Sequence, residues 1–310
     1  MLGYILRRIV LAIPVIIGVT IIVFAMVRFL PGDPAKVIAG IAATEEEVET
    51  IRHQLGLDRP VWEQYASFMW SLLRLDLGKS MFTGKPVLPQ LVETLQNTFV
   101  LAVVSMVIAV PVGIVIGIIS AIHRGKVIDQ VAIVFSLFGV SMPAFWLGLM
   151  LILLFAVTLR VLPAGGIGTP SWDLRYIILP ALTLAAHLIG VLARMTRSSV
   201  LSVLGQDYIR TARAKGATEY LVNYKHALRN AMLPVTTITG LYFGYLLSGT
   251  VLTETVFAWP GMGRLLVNAI SNRDYPIVQG AVLIYSLIFI TVNLIVDILY
   301  AYIDPRIRYE

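Results

Sequence analysis

Four histidines are the side chains of this sequence best suited to bind a metal ion or to transfer protons near neutral pH. They are His53, His123, His187 and His226, and none lies in an H-E-x-x-H segment or pairs with another at the spacing of zinc ligands. The chain has no cysteine, which excludes disulfides, thiolate metal sites and cysteine nucleophiles. A metalloprotease site is therefore not predicted.

Nucleotide and nucleophile chemistry also lack a basis in the sequence. No G-x-x-x-x-G-K-[ST] segment is present, so the chain has no evident loop to cradle nucleotide phosphates. Ser248-Gly249 occurs inside an apolar run, without the surroundings of a serine nucleophile. The sequence predicts neither an ATPase nor a hydrolase, and no cofactor bound by this chain.

One basic segment is the best candidate for binding another macromolecule. Arg210, Arg213 and Lys215 alternate there with the small residues Ala212 and Ala214. Such a segment could enter a groove on a partner protein while its cations make charge-assisted contacts. A solvated basic loop at anionic lipid headgroups accounts for the same charges, so the residue types alone leave both alternatives open.

The overall composition is that of a membrane protein. Hydrophobic residues make up 58% of the 310 residues and charged residues 14%, and the mean hydropathy is +0.84. Soluble domains carry roughly 45–50% apolar and 25% charged residues, and disordered chains are poor in apolar residues. Composition thus excludes both a soluble globule and a disordered chain.

Six apolar stretches have the roughly 20 residues that a helix needs to cross about 30 Å of hydrocarbon. They run over Ile9–Leu30, Thr98–Ile122, Val131–Leu159, Tyr176–Ala193, Pro234–Thr253 and Val278–Ile303. The first is longer than the apolar run of a signal peptide and no A-x-A site follows it, so we expect it to be retained. The sequence therefore predicts an all-α, polytopic membrane protein with six transmembrane helices.

The basic residues are distributed unevenly across these spans. An even number of crossings places both termini on one side, where 13 of the 24 basic residues lie: Arg7, Arg8, Arg124, Lys126, Arg194, Arg197, Arg210, Arg213, Lys215, Lys225, Arg229, Arg306 and Arg308. The opposite short loops hold Arg160, Arg175, Arg264 and Arg273. Because cytoplasmic loops carry the excess of Lys and Arg, we expect both termini to be cytoplasmic.

Residues 31–96 form a polar segment on the outer side. Thr44 and Glu47 have the spacing of a capping box, which predicts a helix ending at Gly56. A second helix should follow Pro60 and either pack on the bundle or lie at the membrane interface. Its apolar face would hold Trp62, Tyr65, Met69 and Leu72. We expect a small packed cap rather than a ligand site.

The second polar segment, Arg194–Leu233, lies on the cytoplasmic side. We expect helical pieces broken at Gly205 and Gly216, with Thr218 capping the later piece. Pro234 would then mark the start of the fifth span.

The spans contain few ionisable side chains. Asp297 lies near Asn293, and an interhelical hydrogen bond is expected there rather than a proton relay. Arg28 is near a span end and can reach the interface, and His187 is expected to be a packed bundle residue rather than a translocation residue. A proton-coupled transporter would be expected to show more buried carboxylates.

Small residues and prolines predict how the spans pack. Gly113-x-x-x-Gly117 and Gly240-x-x-x-Gly244 place glycines on one helical face, which allows close helix contact. Pro111 and Pro143 remove helix hydrogen bonds and could kink the second and third spans along a pathway, although plain packing accounts for both.

Several short motifs occur in the order known from one family. They are Leu30-Pro31-Gly32-Asp33-Pro34, Leu55-Gly56-Leu57-Asp58-Arg59-Pro60, Asp76-Leu77-Gly78, Arg194-Met195-Thr196-Arg197-Ser198-Ser199, Asp207 to Gly216, His226 to Pro234, Trp259-Pro260-Gly261-Met262-Gly263-Arg264 and Arg273-Asp274-Tyr275-Pro276. Over nearly its whole length the chain resembles the permease subunits of binding-protein-dependent ABC importers, in the first-permease (B-type) form of the peptide, glutathione and nickel branch. The resemblance implies the type I ABC importer permease fold.

The cytoplasmic loop departs from the general importer pattern of Glu-Ala-Ala, three residues and Gly. Aligned on Gly216, this chain has Arg210-Thr211-Ala212, and the distance to Leu233-Pro234 is longer than usual. A contact that depends on the acidic side chain of the general pattern is therefore not expected here.

The resemblance implies that a helix around Thr211 to Gly216 docks in a cleft of an ATP-binding subunit. The implied coupling residues are Arg210, Thr211, Ala212, Arg213, Ala214, Lys215, Gly216 and Ala217. Residues 254–276 would face outside, where Trp259, Gly261 and Arg264 could receive a solute-binding protein. We expect replacement of Trp259 and Arg264 to leave folding intact.

The resemblance further implies a division of the chain and a set of partners. Residues 1–93 would form the first span and the outer cap, residues 94–304 a five-helix core with the coupling loop 194–233, and residues 305–310 a cytoplasmic tail. The implied partners are a second homologous permease, two ABC ATPases that bind ATP and Mg, an extracytoplasmic solute-binding protein and the lipid bilayer, with no nucleic acid.

The expected function is that of a permease subunit that forms half of the translocation path for dipeptides or short oligopeptides. Glutathione and nickel chelates are the alternative cargo, and a self-sufficient channel or secondary transporter is the alternative function. The implied location is the cytoplasmic (inner) membrane of a prokaryote, with several membrane crossings.

Overall fold

The computed structural model describes residues 2–29, 34–39, 43–54, 56–168, 173–218, 221–222 and 228–303. Most of these residues are helical, and none of them belongs to a strand. The helices are α1 (Leu2–Phe29), α2 (Pro34–Ala39), α3 (Glu45–Gln54), α4 (Val61–Leu73), α5 (Val87–Ile122), α6 (Val127–Ser141), α7 (Ala144–Leu151), α8 (Leu174–Leu204), α9 (Asp207–Ala214), α10 (Leu228–Gly249), α11 (Val251–Val256), α12 (Met262–Ser271) and α13 (Tyr275–Ile303). A π-helical stretch, Ile152–Thr158, continues α7.

Three helices in the described ranges are long and apolar enough to cross a membrane: α5, α8 and the part of α13 from Tyr275 to Ile295. A fourth crossing results if α6 and the helix after it are counted as one broken span. The first and fifth predicted spans fall largely on α1 and α10. The total of six crossings stays a prediction.

Helices α5 and α8 form the centre of the bundle. A Cβ on Gly113 would lie 2.7 Å from the Cβ of Leu192, and one on Gly117 would lie 2.5 Å from the Cβ of Thr196. The predicted close contact at this glycine pair is thus confirmed, because only glycine lets the two backbones approach so far. Helix α5 continues through Pro111, and the predicted domain boundary at residue 93 falls inside it.

Helix α6 packs closely on another face of α8, again because glycines lie at the contact. A Cβ on Gly139 would lie 2.6 Å from the carbonyl oxygen of Ala186, and Gly190 of α8 faces the carbonyl of Ser136 just as closely. These two glycines are not four residues apart in one span, so the small-residue motif did not predict this contact. The result is a tightly packed group of three helices, α5, α6 and α8.

The third predicted span is not one straight helix. The axes of α6 and of the helix that follows it meet at 103°. Met142 is extended with ψ 130°, and Pro143 precedes the new helix without an N–H to donate. The expected kink at Pro143 is therefore a complete break. Beyond it α7 packs against α8 and α11, and Gly148 leaves room for the ring of Phe257.

In residues 194–233 the predicted break at Gly205 is confirmed, whereas the predicted start of the next span at Pro234 is not. Helix α8 continues past Ala193, the predicted end of the fourth span, and ends at Leu204, so the helix breaks at Gly205 as predicted. Helix α10 begins at Leu228, ahead of Pro234, which lies inside the helix rather than at its start. The same helix ends at Gly249, four residues before the predicted end of the fifth span.

The outer cap contains the predicted capping box. The Glu47 N–H donates to the Thr44 hydroxyl at 3.3 Å, and the Thr44 N–H donates to the Glu47 carboxylate at 2.8 Å. These hydrogen bonds hold the pKa of Glu47 below its usual value. Gly56, with φ +64°, turns the chain after α3 as predicted.

Helix α4 attaches the cap to α1. The Tyr65 and Thr20 hydroxyls are hydrogen-bonded at 2.9 Å, and the rings of Tyr65 and Phe24 meet edge to face at 5.2 Å. Phe68 joins this contact. Trp62, predicted on the same face, is 71% exposed, which agrees with the predicted alternative of a position at the membrane interface.

Candidate functional site

The predicted coupling helix begins earlier in the chain than expected. Helix α9 starts at Asp207 and ends at Ala214, whereas the resemblance implied Thr211 to Gly216. Gly216 lies just beyond the helix with φ +80°, a backbone conformation that favours glycine. The Ala217 N–H then donates back to the Ala212 carbonyl at 3.2 Å, which closes the helix end.

One face of α9 packs on the end of α8. Ile209 is fully buried and forms a small apolar cluster with Val222. Ala212 and Ala217 pack against this cluster, together with Val203 and Leu204 of α8. Both alanines are therefore half-buried, and each leaves part of its side chain accessible. The packing makes α9 an extension of α8 across a single turn.

The opposite face of α9 is open to solvent and basic. Six predicted coupling residues are exposed on α9 or just beyond its end: Arg210, Thr211, Arg213, Ala214, Lys215 and Gly216. Arg210 is 3.9 Å from Asp207, and both side chains are largely exposed, so this ion pair does not neutralise the surface firmly. Six of the eight predicted coupling residues thus lie on one accessible surface.

A second contact ties α9 to α10. The Asn230 side-chain amide donates to the Tyr208 hydroxyl at 2.9 Å. Helix α9 is consequently held between the end of α8 and the beginning of α10, so its position depends on both helices.

A buried ion pair lies near the same end of the bundle. Asp129, in the first turn of α6, is 2% exposed. Arg197 of α8 donates from Nε and Nη2 to its two carboxylate oxygens at 2.7 and 2.8 Å. The Ser120 hydroxyl of α5 donates at 2.5 Å and the Gly125 N–H at 2.8 Å. One carboxylate therefore joins α5, α6 and α8.

A second buried carboxylate lies at the opposite end of α5. Glu254 of α11 is fully buried, and its Oε1 accepts from the hydroxyls of Thr98 at 2.6 Å and Thr250 at 2.8 Å. Its Oε2 accepts from the backbone N–H of Arg264 at 3.0 Å. The Met262 N–H donates to Thr98 at 2.9 Å. Glu254 and Thr98 thus satisfy the free N–H groups at the start of α12.

The residues predicted to receive a binding protein surround Glu254. Trp259 is 1% exposed, and its Nε1 donates to the Asn97 carbonyl at 3.1 Å. Gly261 is buried next to Glu254. A Cβ on Gly261 would lie 2.3 Å from the carboxyl carbon of Glu254 and would overlap the carboxyl group. Arg264 alone is partly exposed, and its Nη1 donates to the Ala258 carbonyl at 2.6 Å. Trp259 and Gly261 are therefore interior residues, and replacing Trp259 would disturb the fold.

A third buried carboxylate fastens the same segment to the outer turn before α5. Asp274 is 2% exposed; it accepts from the Ser80 hydroxyl and, at 3.0 Å, from the Met81 N–H. The segment between α10 and α13 is thus held to the rest of the bundle at several points.

From the sequence, Arg197 and Glu254 were placed in polar segments. Their partners, Asp129 for Arg197 and Thr98 for Glu254, were not predicted. The signal for Glu254 was its spacing of four residues from Thr250, which puts a hydroxyl and a carboxylate on one helical face. Asp129 stands alone at the start of an apolar run, where an acidic side chain needs a partner. The side chains of Arg28 and Asp297, and the predicted tail 305–310, lie outside the described residues.

Two family comparisons together cover most of the sequence. Residues 113–309 match the family described as binding-protein-dependent transport system inner membrane component. Residues 1–108 match the N-terminal region of such membrane components.

Full-length relatives and solved structures agree with these matches. The dipeptide transport system permease protein DppB of Escherichia coli K12 is 44% identical, and the glutathione transport system permease protein GsiC of the same strain is 46% identical, each over 100% of both chains. A crystal structure of an amino acid ABC transporter with histidines has a TM-score of 0.55 at 15% identity, covering 69% of this chain and 94% of that one. The inward-facing MetNI methionine ABC transporter has a TM-score of 0.51 at 20% identity, covering 67% and 94%. These two structures support the fold alone.

Proposed function

The chain belongs to the family of binding-protein-dependent transport system inner membrane components, and from this membership we propose that it is the permease subunit of an ATP-driven importer. Its proposed cargo is dipeptides or short oligopeptides, because a full-length relative at 44% identity is a dipeptide permease. Glutathione, the cargo named for the relative at 46% identity, is the alternative. The chain is proposed to form half of the translocation path.

The proposed assembly supplies the functions that this chain lacks. Two ABC ATPase subunits would bind ATP and Mg and hydrolyse the nucleotide, a second homologous permease would complete the path, and an extracytoplasmic solute-binding protein would deliver cargo. The subunit would cross the inner membrane several times with both termini in the cytoplasm, as the distribution of basic residues suggests.

The observation that carries this proposal is the two-sided character of α9. Its inner face is packed on α8 through Ile209, so a push on α9 reaches α8 directly. Its outer face is accessible and basic, with Arg210, Arg213 and Lys215 able to make charge-assisted hydrogen bonds to an ATPase. A helix that is fastened on one side and free on the other is suited to pass movement from a partner into the membrane.

The buried ion pair would spread that movement through the bundle. Arg197 lies on α8 seven residues before its end, and its partner Asp129 also holds Ser120 of α5. Helices α5, α6 and α8 would therefore move together when α9 is displaced, as alternating access requires.

The proposed docking surface for the binding protein lies in the predicted segment, residues 254–276, but does not include the buried residues Trp259 and Gly261. Trp259 and Gly261 are interior, whereas Ser271, Asn272 and Arg273 are exposed in the same segment. Together with the partly exposed Arg264 they are the proposed contact residues on the outer side.

The test is co-purification of the tagged chain with the nucleotide-binding subunits. Ala214→Trp and Lys215→Glu change exposed side chains at the end of α9, so we expect each to lose most of the bound ATPase and of the transport activity. Lys85→Glu changes an equally exposed cation in the outer turn before α5 and should leave both intact.

Two results would contradict the proposal. Full retention of the ATPase in both α9 variants would remove α9 as the docking site. Uphill transport by vesicles that contain this chain alone would instead favour a self-sufficient transporter.

A further inference from the structure

Helix α8 is buried on most sides but has one open stripe. Between Tyr176 and Leu204, all of which the structure describes, only Arg194, Ser198 and Ser202 are exposed. The next turns of the same stripe hold the partly exposed Val191 and His187. Their spacing of three or four residues places them on one face, and all but Val191 are polar.

The outer surfaces of α5 and α6 are different. Their exposed side chains are apolar, for example Val107 at 67% and Val115 at 52% on α5, and Val134 at 63% and Phe138 at 61% on α6. Such surfaces suit contact with lipid chains. A polar stripe facing lipid would instead cost free energy for every unsatisfied group.

Helix α10 extends the polar stripe toward the other end of α8. The Tyr242 hydroxyl lies 3.5 Å from His187 Nε2, and their rings are 6.0 Å apart. Tyr245, 60% exposed, follows one turn later with its ring 6.0 Å from that of Tyr242. Phe243 points elsewhere, against Phe99 of α5, within an apolar groove of about 770 Å³ between α5, α10 and α13.

We infer that His187, Arg194 and Ser198 of α8, with Tyr242 and Tyr245 of α10, line the water-filled path and contact the cargo. This inference rests on the proposed function, because it needs a path through the permease. From His187 to Ser198 the stripe covers about 17 Å along α8 at 1.5 Å per residue. Arg194 and Ser198 lie at the end of the stripe that is predicted to be cytoplasmic, and Tyr245 extends the stripe from His187 in the opposite direction.

The chemistry of the stripe fits a short peptide. The guanidinium of Arg194, the two phenols and the Ser198 hydroxyl are hydrogen-bond donors, and neutral imidazole can donate from one nitrogen. Peptide carbonyls and a terminal carboxylate offer the matching acceptors, and Arg194 suits the carboxylate in particular. The aromatic rings add a tolerant surface for side chains of different shape, which a path for many peptides requires.

Labelling of single cysteines tests the assignment without removing native thiols from this chain, since it has none. His187→Cys and Tyr245→Cys would be made in the complete transporter in membrane vesicles, with Val115→Cys and Val134→Cys as exposed, apolar controls. A hydrophilic, charged thiol reagent would be applied, and modification of this chain would be measured by mass spectrometry. We expect labelling at least tenfold faster at His187→Cys and Tyr245→Cys than at the controls, and slowed severalfold by excess dipeptide together with the binding protein.

Labelling rates equal to those of the valine controls, in complexes that still transport, would overturn the inference. They would mean that lipid or the second permease covers the stripe. If His187→Cys does not assemble, Tyr245→Cys decides the question alone, because this exposed side chain lies outside the core. Wild-type vesicles that move no peptide on ATP would instead refute the proposed function, so the two failures are distinguishable.

Discussion

Two carboxylates, one near each end of the bundle, are buried with different kinds of hydrogen-bond donor around them. Asp129 accepts two hydrogen bonds from the Arg197 guanidinium, which carries the opposite charge. The Ser120 hydroxyl and the Gly125 N–H are its other donors. Glu254 is held by two hydroxyls and a backbone N–H, and no basic side chain within the described ranges pairs with it. Asp129 therefore links α5, α6 and α8 through an ion pair, whereas Glu254 links α5, α11 and α12 through neutral donors.

The difference determines what each cluster tolerates. Removing one member of a buried ion pair leaves the other charge without a partner, which costs more than the pair contributes. Replacing the Glu254 carboxyl by a neutral group leaves no unpaired charge behind, because its donors are two hydroxyls and a backbone N–H. The expected cost is therefore smaller. We therefore expect the end of the bundle next to α9 to be the more sensitive to loss of charge, and the opposite end to be sensitive to shape.

The largest effect is expected for Asp129→Asn. The substitution keeps the side-chain volume but leaves the Arg197 guanidinium, 26% exposed, without its counter-charge. We expect a loss of about 3 kcal/mol in the free energy of unfolding, measured by unfolding of the detergent-purified chain. Glu49→Gln breaks the exposed pair with Arg52 and should cost less than about 0.5 kcal/mol. Equal losses in the two variants would contradict the role given to burial.

Gly261→Ala should be the next most costly change, because it tests shape rather than charge. The new Cβ would overlap the buried Glu254 carboxyl, which three donors hold in place. We expect a loss of about 2 kcal/mol from overpacking, measured in the same assay. Gly18→Ala in α1 adds a methyl group where no atom lies within 4 Å and should cause no loss. A tolerated Gly261→Ala would mean that the carboxyl can move aside.

Glu254→Gln should cost less, about 1.5 kcal/mol. The amide keeps one oxygen acceptor, but its NH₂ group must face one of the three donors, which then lacks a partner. The same unfolding assay compares it directly with Asp129→Asn. If Glu254→Gln were the more harmful of the two, the contrast between a charged and a neutral shell would be wrong.

The smallest effect is expected for Arg264→Ala. The Arg264 backbone N–H, which holds Glu254, remains in the variant, and only the partly exposed bond from Nη1 to the Ala258 carbonyl is lost. We expect about 0.5 kcal/mol. A loss as large as that of Glu254→Gln would assign the cluster to the Arg264 side chain instead of its backbone. Binding-protein stimulation of ATP hydrolysis, measured on the same variant, would report any outer docking role.

Local features were predictable because they depend on neighbours in the sequence. The reciprocal bonds of Thr44 and Glu47 involve residues three apart, and Gly56 and Gly216 end their helices through their own backbone conformation. The contact of Gly113 and Gly117 with α8 follows from a spacing that any close helix pair would use. In each case few residues decide the geometry.

Other predictions failed where distant residues decide the outcome. Trp259 lies in a polar segment and has the amphipathic character of a docking residue, yet Asn97, 162 positions away, accepts its N–H in the interior. Gly261 lies in the same segment, yet a Cβ there would overlap the buried carboxyl of Glu254, so it is an interior residue as well. Pro143 indicated a kink, which is present, but its size of 103° was not predicted.

The sequence by itself determined that this chain is a helical membrane protein of the importer permease family, because apolar runs, basic asymmetry and ordered motifs are properties of the chain. Only the tertiary structure decided which polar residues are interior supports and which are accessible, since burial depends on what other helices bring to the same place. The pairs of Asp129 with Arg197 and of Glu254 with Thr98 exist only where separate helices meet, and the stripe from His187 to Ser198 is open because the other helices cover the remaining faces of α8.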